Sequence, residues 1–446
     1  MTTMTTADGT AAHPEAAGMG RRVRSILIGS IGNLVEWYDF NTYAAFAIYF
    51  AGSFFPNKDP VIEVLNASLL FALGFLVRPL GAWLFGHLAD HHGRRGALML
   101  SVSLMCFGSL MIAVLPTYAA VGVLAPVLLA VARVLQGLSL GGEYGASATY
   151  LTEVADERNR GFYASFQYVT LIGGQVIALL VLMALQKVFL TGDEIRAWGW
   201  RIPFVIGALL SIIALVMRRT LHETEAFEEA RTAAKNTSAK RTSSIATLLQ
   251  YPREVMLVVG LTAGGTAAYY TYTTYMQKFL KLSVGLTDNE TTAVALSSLT
   301  FGLILQPIYG ALSDRIGRKW LLIGFGVAGV LFTIPILTAL QATRDAFTAF
   351  LLIAAAWLIV SGYTSINAVV KAELFPTRIR ALGVGLPYAI TVSIFGGSTD
   401  SVALGFKAAG HETWFYYYLT GMIAISLVVY LFMRDTKAHS AMSRHE

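Results

Sequence analysis

One ten-residue pattern occurs twice in this chain of 446 residues, each time in a short charged break between long apolar runs. Gly86-His87-Leu88-Ala89-Asp90-His91-His92-Gly93-Arg94-Arg95 returns as Gly310-Ala311-Leu312-Ser313-Asp314-Arg315-Ile316-Gly317-Arg318-Lys319, 224 residues later. A second pair keeps nearly the same offset: Glu153 with Arg158 and Arg160 answers Glu373 with Arg378 and Arg380, 220 residues on. Two related halves interrupted by such breaks are how many membrane transporters are built. The composition agrees, with 55% hydrophobic and 13% charged residues and a mean hydropathy of +0.59, outside the balance of a soluble domain.

Apolar spans of about twenty residues number twelve, at 25–54, 62–89, 97–115, 121–151, 161–189, 200–218, 254–279, 289–312, 320–340, 346–372, 380–408 and 412–433. The expected fold is an all-α integral membrane protein of two pseudo-symmetric six-helix bundles. Residues 1–24 are expected to be a disordered N-terminus and 25–218 the first bundle. Residues 219–253 form a linker with one surface helix at 222–233, 254–433 the second bundle and 434–446 a tail. The first span is too long for a signal-peptide core and is read as a retained helix. Alternate breaks carry 22 lysines and arginines on one side against 8 on the other, the remaining three being Arg78, Arg133 and Lys371. The positive-inside rule then puts both termini and the linker in the cytoplasm.

Several function classes fall away. The pI of 9.2 signals no nucleic-acid partner, because the basic residues occupy scattered short breaks without interleaved stacking aromatics. Cys106 is the sole cysteine and the eight histidines are dispersed. No intrachain disulfide, metal, cofactor or nucleophile-base set of an enzyme is therefore expected.

The repeated break has a physical reading. Gly86 and Gly310 remove side chains where another helix backbone comes close. Asp90 and Asp314 end their own helices, where a carboxylate is unfavourable, but suit the N-terminus of a neighbouring helix and Arg94 or Arg318. This makes a latch on the cytoplasmic side, with Glu153, Arg158, Glu373 and Arg378 assigned to the same gate. Two such loops, with Arg133-x-x-Gln136-Gly137 in the fourth span, resemble the major facilitator superfamily. The first copy has His91 where that family usually has arginine.

A charge at bilayer depth costs at least about 2.5 to 3.5 kcal/mol unless it faces a cavity or a partner. Glu36 and Asp39 share one face of the first helix at i, i+3 spacing, and Arg78 and Arg133 fall at similar depth. Pairing of Asp39 or Glu36 with Arg133 or Arg78 is expected. A carboxylate so paired takes a proton when its arginine is diverted to an anionic substrate. Glu143 sits within Gly137-x3-Gly141-x3-Gly145 and is read either as a coupling carboxylate or as part of a close-packing face. Lys371, near the end of the tenth span, is read as a substrate contact or a snorkelling side chain. Tyr272 and Tyr275 are about a turn apart and are expected to line a cavity wall with their hydroxyls; the alternative, an outer interfacial belt, suits Tyr275 and Lys278 better than Tyr269. Gln167, Gln175, Tyr363 and Asn367 are further polar candidates.

Within the superfamily, Gly32-Asn33-Leu34-Val35-Glu36-Trp37-Tyr38-Asp39-Phe40, Gly141-Gly142-Glu143-Tyr144-Gly145 and Trp198-Gly199-Trp200-Arg201-Ile202-Pro203-Phe204 resemble the metabolite:proton symporter family. The stretches 161–175, Thr273-Thr274-Tyr275-Met276-Gln277-Lys278 and Ile394-Phe395-Gly396-Gly397-Ser398 resemble its α-ketoglutarate-transporting members. That resemblance implies a proton-driven, monomeric importer of a C5 dicarboxylate in the lipid of a bacterial inner membrane. Citrate, shikimate and proline or betaine symport remain alternatives, as does a sensor that binds without flux. Osmosensing relatives carry a long heptad tail, whereas this chain ends about a dozen residues after the twelfth span. The midplane charges Glu36, Asp39, Glu143, Arg78 and Arg133 sum to −1, so binding a dianion requires protonation or recruitment of Arg201 or Lys371.

Overall fold

Lipid offers no hydrogen-bond partner, so an apolar run must satisfy its backbone internally, and helices do this residue by residue. The computed structural model describes residues 14–92, 94–141, 148–149, 151–152, 155, 157–219, 247–376 and 379–441, and among these no strand occurs. Its rods are α1 (Pro14–Phe54), α2 (Pro60–Leu76, then Arg78–His92), α3 (Arg94–Val114), α4 (Leu124–Leu140), α5 (Arg160–Ala184) and α6 (Ile202–Arg219). The second half repeats the set. It comprises α7 (Pro252–Tyr270, resuming at Met276–Phe279), α8 (Asp288–Ile316), α9 (Arg318–Ala342), α10 (Ala346–Thr364, then Asn367–Leu374), α11 (Arg380–Thr391, then Thr399–Ala408) and α12 (Glu412–Phe432). Among the described residues, eight helices are long and apolar enough to cross a membrane by length and composition alone. Large apolar side chains such as Phe107, Leu331 and Phe432 point outward, while Asp39, Arg133, Gln136 and Lys371 are buried. This is the distribution a lipid solvent demands.

One expectation changes: α1 is described from Pro14 on, so residues 14–24 of the arm expected to be disordered are helical. The surface helix expected at 222–233 lies outside the described residues.

Caps punctuate one end of the rods. Asp59 accepts from the Val61 N–H at 2.8 Å at the start of α2, and Asp345 from Thr348 N–H at 2.7 Å at the start of α10. Thr287 and Glu290 form a capping box on α8, and Thr191 and Glu194 form one on the short helix Gly192–Ala197. Hydrogen bonds from the Thr191 backbone and hydroxyl hold the Glu194 carboxyl below its usual range.

The halves meet along α5 against α8 and α2 against α11. A Cβ at Gly310 would stand 2.7 Å from the Gly161 carbonyl oxygen, so α5 and α8 touch backbone to backbone there. In α2, Pro79 has no N–H to give the Phe75 carbonyl one turn back. The helix is interrupted at Val77, where a cap backbone N–H still reaches the Phe75 carbonyl, and that carbonyl also accepts from the Ser393 hydroxyl of α11. The kink thus joins the halves and presents Arg78 at the seam.

Candidate functional site

Asp39, on α1, is fully buried. Its Oδ2 accepts from the Ser109 hydroxyl of α3 and from Gln136 Nε2 of α4 at 3.0 Å, while Oδ1 has no partner among the described residues. Gln136 Oε1 in turn accepts from Arg133 Nη1 at 2.6 Å. The expected direct Asp39–Arg133 pair is therefore replaced by a relay. Gln136, one helical turn beyond Arg133 on α4, stands between the two charges. Glu36 is buried one turn before Asp39.

The arginines rest on aromatic rings rather than on carboxylates. Arg133 Cζ lies 4.3 Å from the centroids of both Phe40 and Tyr43. Arg78 Cζ lies 3.8 Å from Phe75, 4.4 Å from Phe40 and 5.1 Å from Trp37. Nε and Nη2 of both guanidiniums are buried with no hydrogen-bond partner among the described residues, and neither arginine pairs with a described carboxylate. This overturns the expected pairing of Arg78 with Glu36 or Asp39: aromatic faces attract a cation without consuming its N–H groups, and Nε and Nη2 stay unspent.

Across the seam from Arg78 stand Tyr270 of α7 and Tyr388 of α11, both in electrostatic range of its guanidinium. Lys371 is fully buried with Nζ 3.5 Å from the Tyr388 ring centroid, so it does not snorkel. Asn367 Nδ2 donates to the Tyr168 hydroxyl at 2.8 Å, tying α10 to α5. Gln167 and Gln175 are buried on α5. Arg201 is elsewhere: it donates to the Ala113 carbonyl at 2.8 Å and stacks on Trp200. Of the two cations proposed for recruitment, only Lys371 is at the seam.

Tyr272 and Tyr275 do not line the seam. Tyr272 packs beside Thr333, Phe325 and Ile423 inside the second half, and Tyr275 meets Phe415 edge-on and Phe279 at a tilt. At about 100° per residue, Tyr272 is turned about 200° from Tyr270, so residues 269 and 270 face the first half instead. Tyr269 meets Tyr168 edge-on at 5.2 Å and Tyr270 meets Phe75 at 5.2 Å.

A second charged centre escaped the sequence reading. Lys278 of α7 and Asp400 of α11 form an ion pair, each with under 3% of its side chain exposed. The Ser68 hydroxyl of α2 donates to Asp400 Oδ2 at 2.8 Å, bringing the first half to the pair. Lys278 is thus an inter-bundle residue and not a member of an outer belt. The available signal was a carboxylate, Asp400, inside the apolar span 380–408.

At the opposite end of the molecule, Asp314 accepts from the Gly161 and Phe162 N–H groups at 2.8 and 2.9 Å, capping α5 of the other half. Arg318 Nη1 reaches Asp314 Oδ1 at 2.8 Å and its Nη2 reaches Glu373 Oε1 at 3.5 Å. The chain end closes over this group. The Thr436 hydroxyl donates to Glu373 Oε2 at 2.6 Å, and Asp435 Oδ1 accepts from Arg318 N–H at 3.3 Å. Arg158 is exposed in the turn Glu157–Asn159. Glu143, Glu153 and Arg378 lie outside the described residues, as do the side chains of Gly86, Asp90 and Arg94.

The geometry is that of two helical bundles around a cationic seam, and known proteins share the fold. The sugar (and other) transporter family matches residues 25–446. The chain belongs to this family of the major facilitator superfamily. The α-ketoglutarate permease of Escherichia coli K12 is 49% identical over 413 residues, covering 93% of this chain and 94% of that protein. A citrate-proton symporter of Salmonella typhi is 33% identical over 394 residues, covering 88% and 89%. Among solved structures, a D-xylose-proton symporter aligns with a TM-score of 0.70 at 17% identity, covering 92% of this chain and 98% of that one. The transporter is accordingly no enzyme; its relatives move solutes.

Proposed function

We propose that this transporter imports α-ketoglutarate with protons, by alternating access, across a bacterial inner membrane, as a monomer with both termini in the cytoplasm. The observation that carries the reading is the pair of buried arginines whose Nε and Nη2 groups have no hydrogen-bond partner among the described residues, in a chain 49% identical to an α-ketoglutarate permease. One substrate carboxylate docks on Arg78, whose planar fork fits it. Lys371, with the Tyr270 and Tyr388 hydroxyls, meets the other from the second half, and Gln167 and Gln175 offer amides from α5. Three cations then face a dianion, which removes the charge deficit. Asp39 carries the proton with Glu36 beside it, and Arg133 reports the substrate to Asp39 through Gln136. The bundles 25–218 and 254–433 rock about this layer, linked by 219–253.

Uptake of radiolabelled α-ketoglutarate into proteoliposomes tests the reading. Accumulation should require an inward proton gradient and resist competition by citrate, shikimate and proline. Stronger inhibition by citrate than by unlabelled α-ketoglutarate would reassign the substrate, and gradient-independent accumulation would remove proton coupling.

A further inference from the structure

Phe40 is fully buried, and both open guanidiniums lie over its ring, Arg133 Cζ at 4.3 Å and Arg78 Cζ at 4.4 Å. Phe71 and Phe75 hold the ring in turn, with centroids 5.2 and 5.1 Å away. Two cations that close in a dry protein repel strongly. Beside the field of Asp39 on Arg133, what keeps them together is the negative face of the aromatic ring, an attraction that is largest where water is excluded. Phe40 also follows Asp39 directly on α1. One helix therefore aims a carboxylate at α3 and α4 and, about 100° around, a ring at α2.

We infer that Phe40 is the positioning residue that couples the substrate site to the proton site, by holding Arg78 and Arg133 on one ring. The inference deepens the proposed function and rests on it. A carboxylate that docks on Arg78 cancels one of the two repelling charges. Arg133 feels that change through the shared ring, and Gln136 passes it to Asp39 through its 2.6 and 3.0 Å hydrogen bonds. Anion and proton binding then favour each other, as linkage requires of a symporter. A leucine at this position fills similar space but has no quadrupole, so each arginine would settle independently.

The other titratable groups around the arginines and Asp39 are Glu36, Tyr38 and Tyr43 on α1, Cys106 on α3, Tyr270 on α7 and Tyr388 on α11. Tyrosine and cysteine ordinarily titrate above about pH 8. Glu36 is therefore the group to control for in a profile taken below that.

The test is equilibrium binding of radiolabelled α-ketoglutarate to the purified full-length protein between about pH 5.5 and pH 7.5. The wild type should lose affinity as pH rises, by on the order of tenfold or more. Phe40→Leu should flatten that dependence to under about threefold, and Phe40→Tyr should restore it. A Glu36→Gln background removes that carboxylate from the profile, so the Phe40→Leu comparison repeated in it reads Asp39 alone. A Phe40→Leu protein with the wild-type slope, whatever its absolute affinity, overturns the inference, because the ring would then only fill space. So would a slope lost in Phe40→Tyr as well. If Phe40→Leu does not fold, Phe40→Met, of similar volume and also without a ring, takes its place under the same criteria. A wild type that binds α-ketoglutarate without any pH dependence overturns proton coupling itself and the inference with it, so the two failures are told apart by the wild-type arm.

Discussion

Asp39 has one oxygen satisfied by two donors and one left open, the condition of a carboxylate that can accept a proton without dismantling its surroundings. Asp39→Asn should abolish gradient-driven accumulation while substrate counterflow continues, read in the same proteoliposomes. Continued accumulation against a gradient would transfer the role to Glu36. Arg78→Lys keeps the charge but not the fork or the flat stack on Phe75, and should weaken binding by about tenfold, or about 1.4 kcal/mol. Unchanged affinity would put the carboxylate contact elsewhere. The Lys278–Asp400 pair makes a different kind of prediction. Removing one partner strands a buried charge, so Lys278→Met should cost about 3 to 5 kcal/mol of stability, whereas adding Asp400→Leu should recover much of it. Thermal unfolding in detergent measures both, and a double variant no better than the single would mean the pair is not coupled. The sequence exposed Asp39, Arg78 and Arg133 because charges are rare in apolar spans. It could not say that Gln136 intervenes or that Phe40 is shared, since those facts depend on how α1, α2 and α4 are rotated about their axes.

At the scale of helices, the junction of α8 with α5 is held by one carboxylate on two backbone donors of a helix N-terminus. Such an anion is favoured by the helix dipole and by two charge-assisted hydrogen bonds. Asp314→Asn weakens all of these and should favour conformations open on that side. Ser165, buried between the two helices, is the reporter: in a Cys106→Ala background, Ser165→Cys should be alkylated faster when Asp314→Asn is added. Unchanged labelling alongside lost transport would assign Asp314 to folding. The repeat itself was legible because glycine, aspartate and arginine recur at fixed spacing. The closing of the chain end over Glu373 was not, because Asp435, Thr436 and Ser440 look like any polar tail until they are packed.

For the whole molecule, the proposed orientation rests on charge asymmetry and is open to a direct check. Lys58 and His439 are both exposed, at opposite ends of the rods. In the Cys106→Ala background, Lys58→Cys should react with an impermeant maleimide on intact cells and His439→Cys only after permeabilisation. The reverse pattern would invert the proposed topology and with it the assignment of the Asp314 latch to the cytoplasmic side.

Hydrophobicity is a property of single residues summed along the chain, so the twelve spans, the duplication and the membrane solvent followed from the sequence alone. Much of the intramembrane charge followed for the same reason, Asp39, Arg78 and Arg133 standing out against an apolar background, while Asp400 was passed over and Lys278 misplaced. Direction is different. Which side of a helix faces the seam depends on kinks such as the one at Pro79, on the π turn at Thr271–Tyr275 and on the packing of neighbours. The sequence reading therefore named Tyr272 and Tyr275 where the tertiary structure presents Tyr269 and Tyr270. Likewise Ser68, Lys278 and Asp400 are brought together only when two bundles close on each other, because their separation in the chain, 210 and 332 residues from Ser68, leaves no local pattern to reveal the contact.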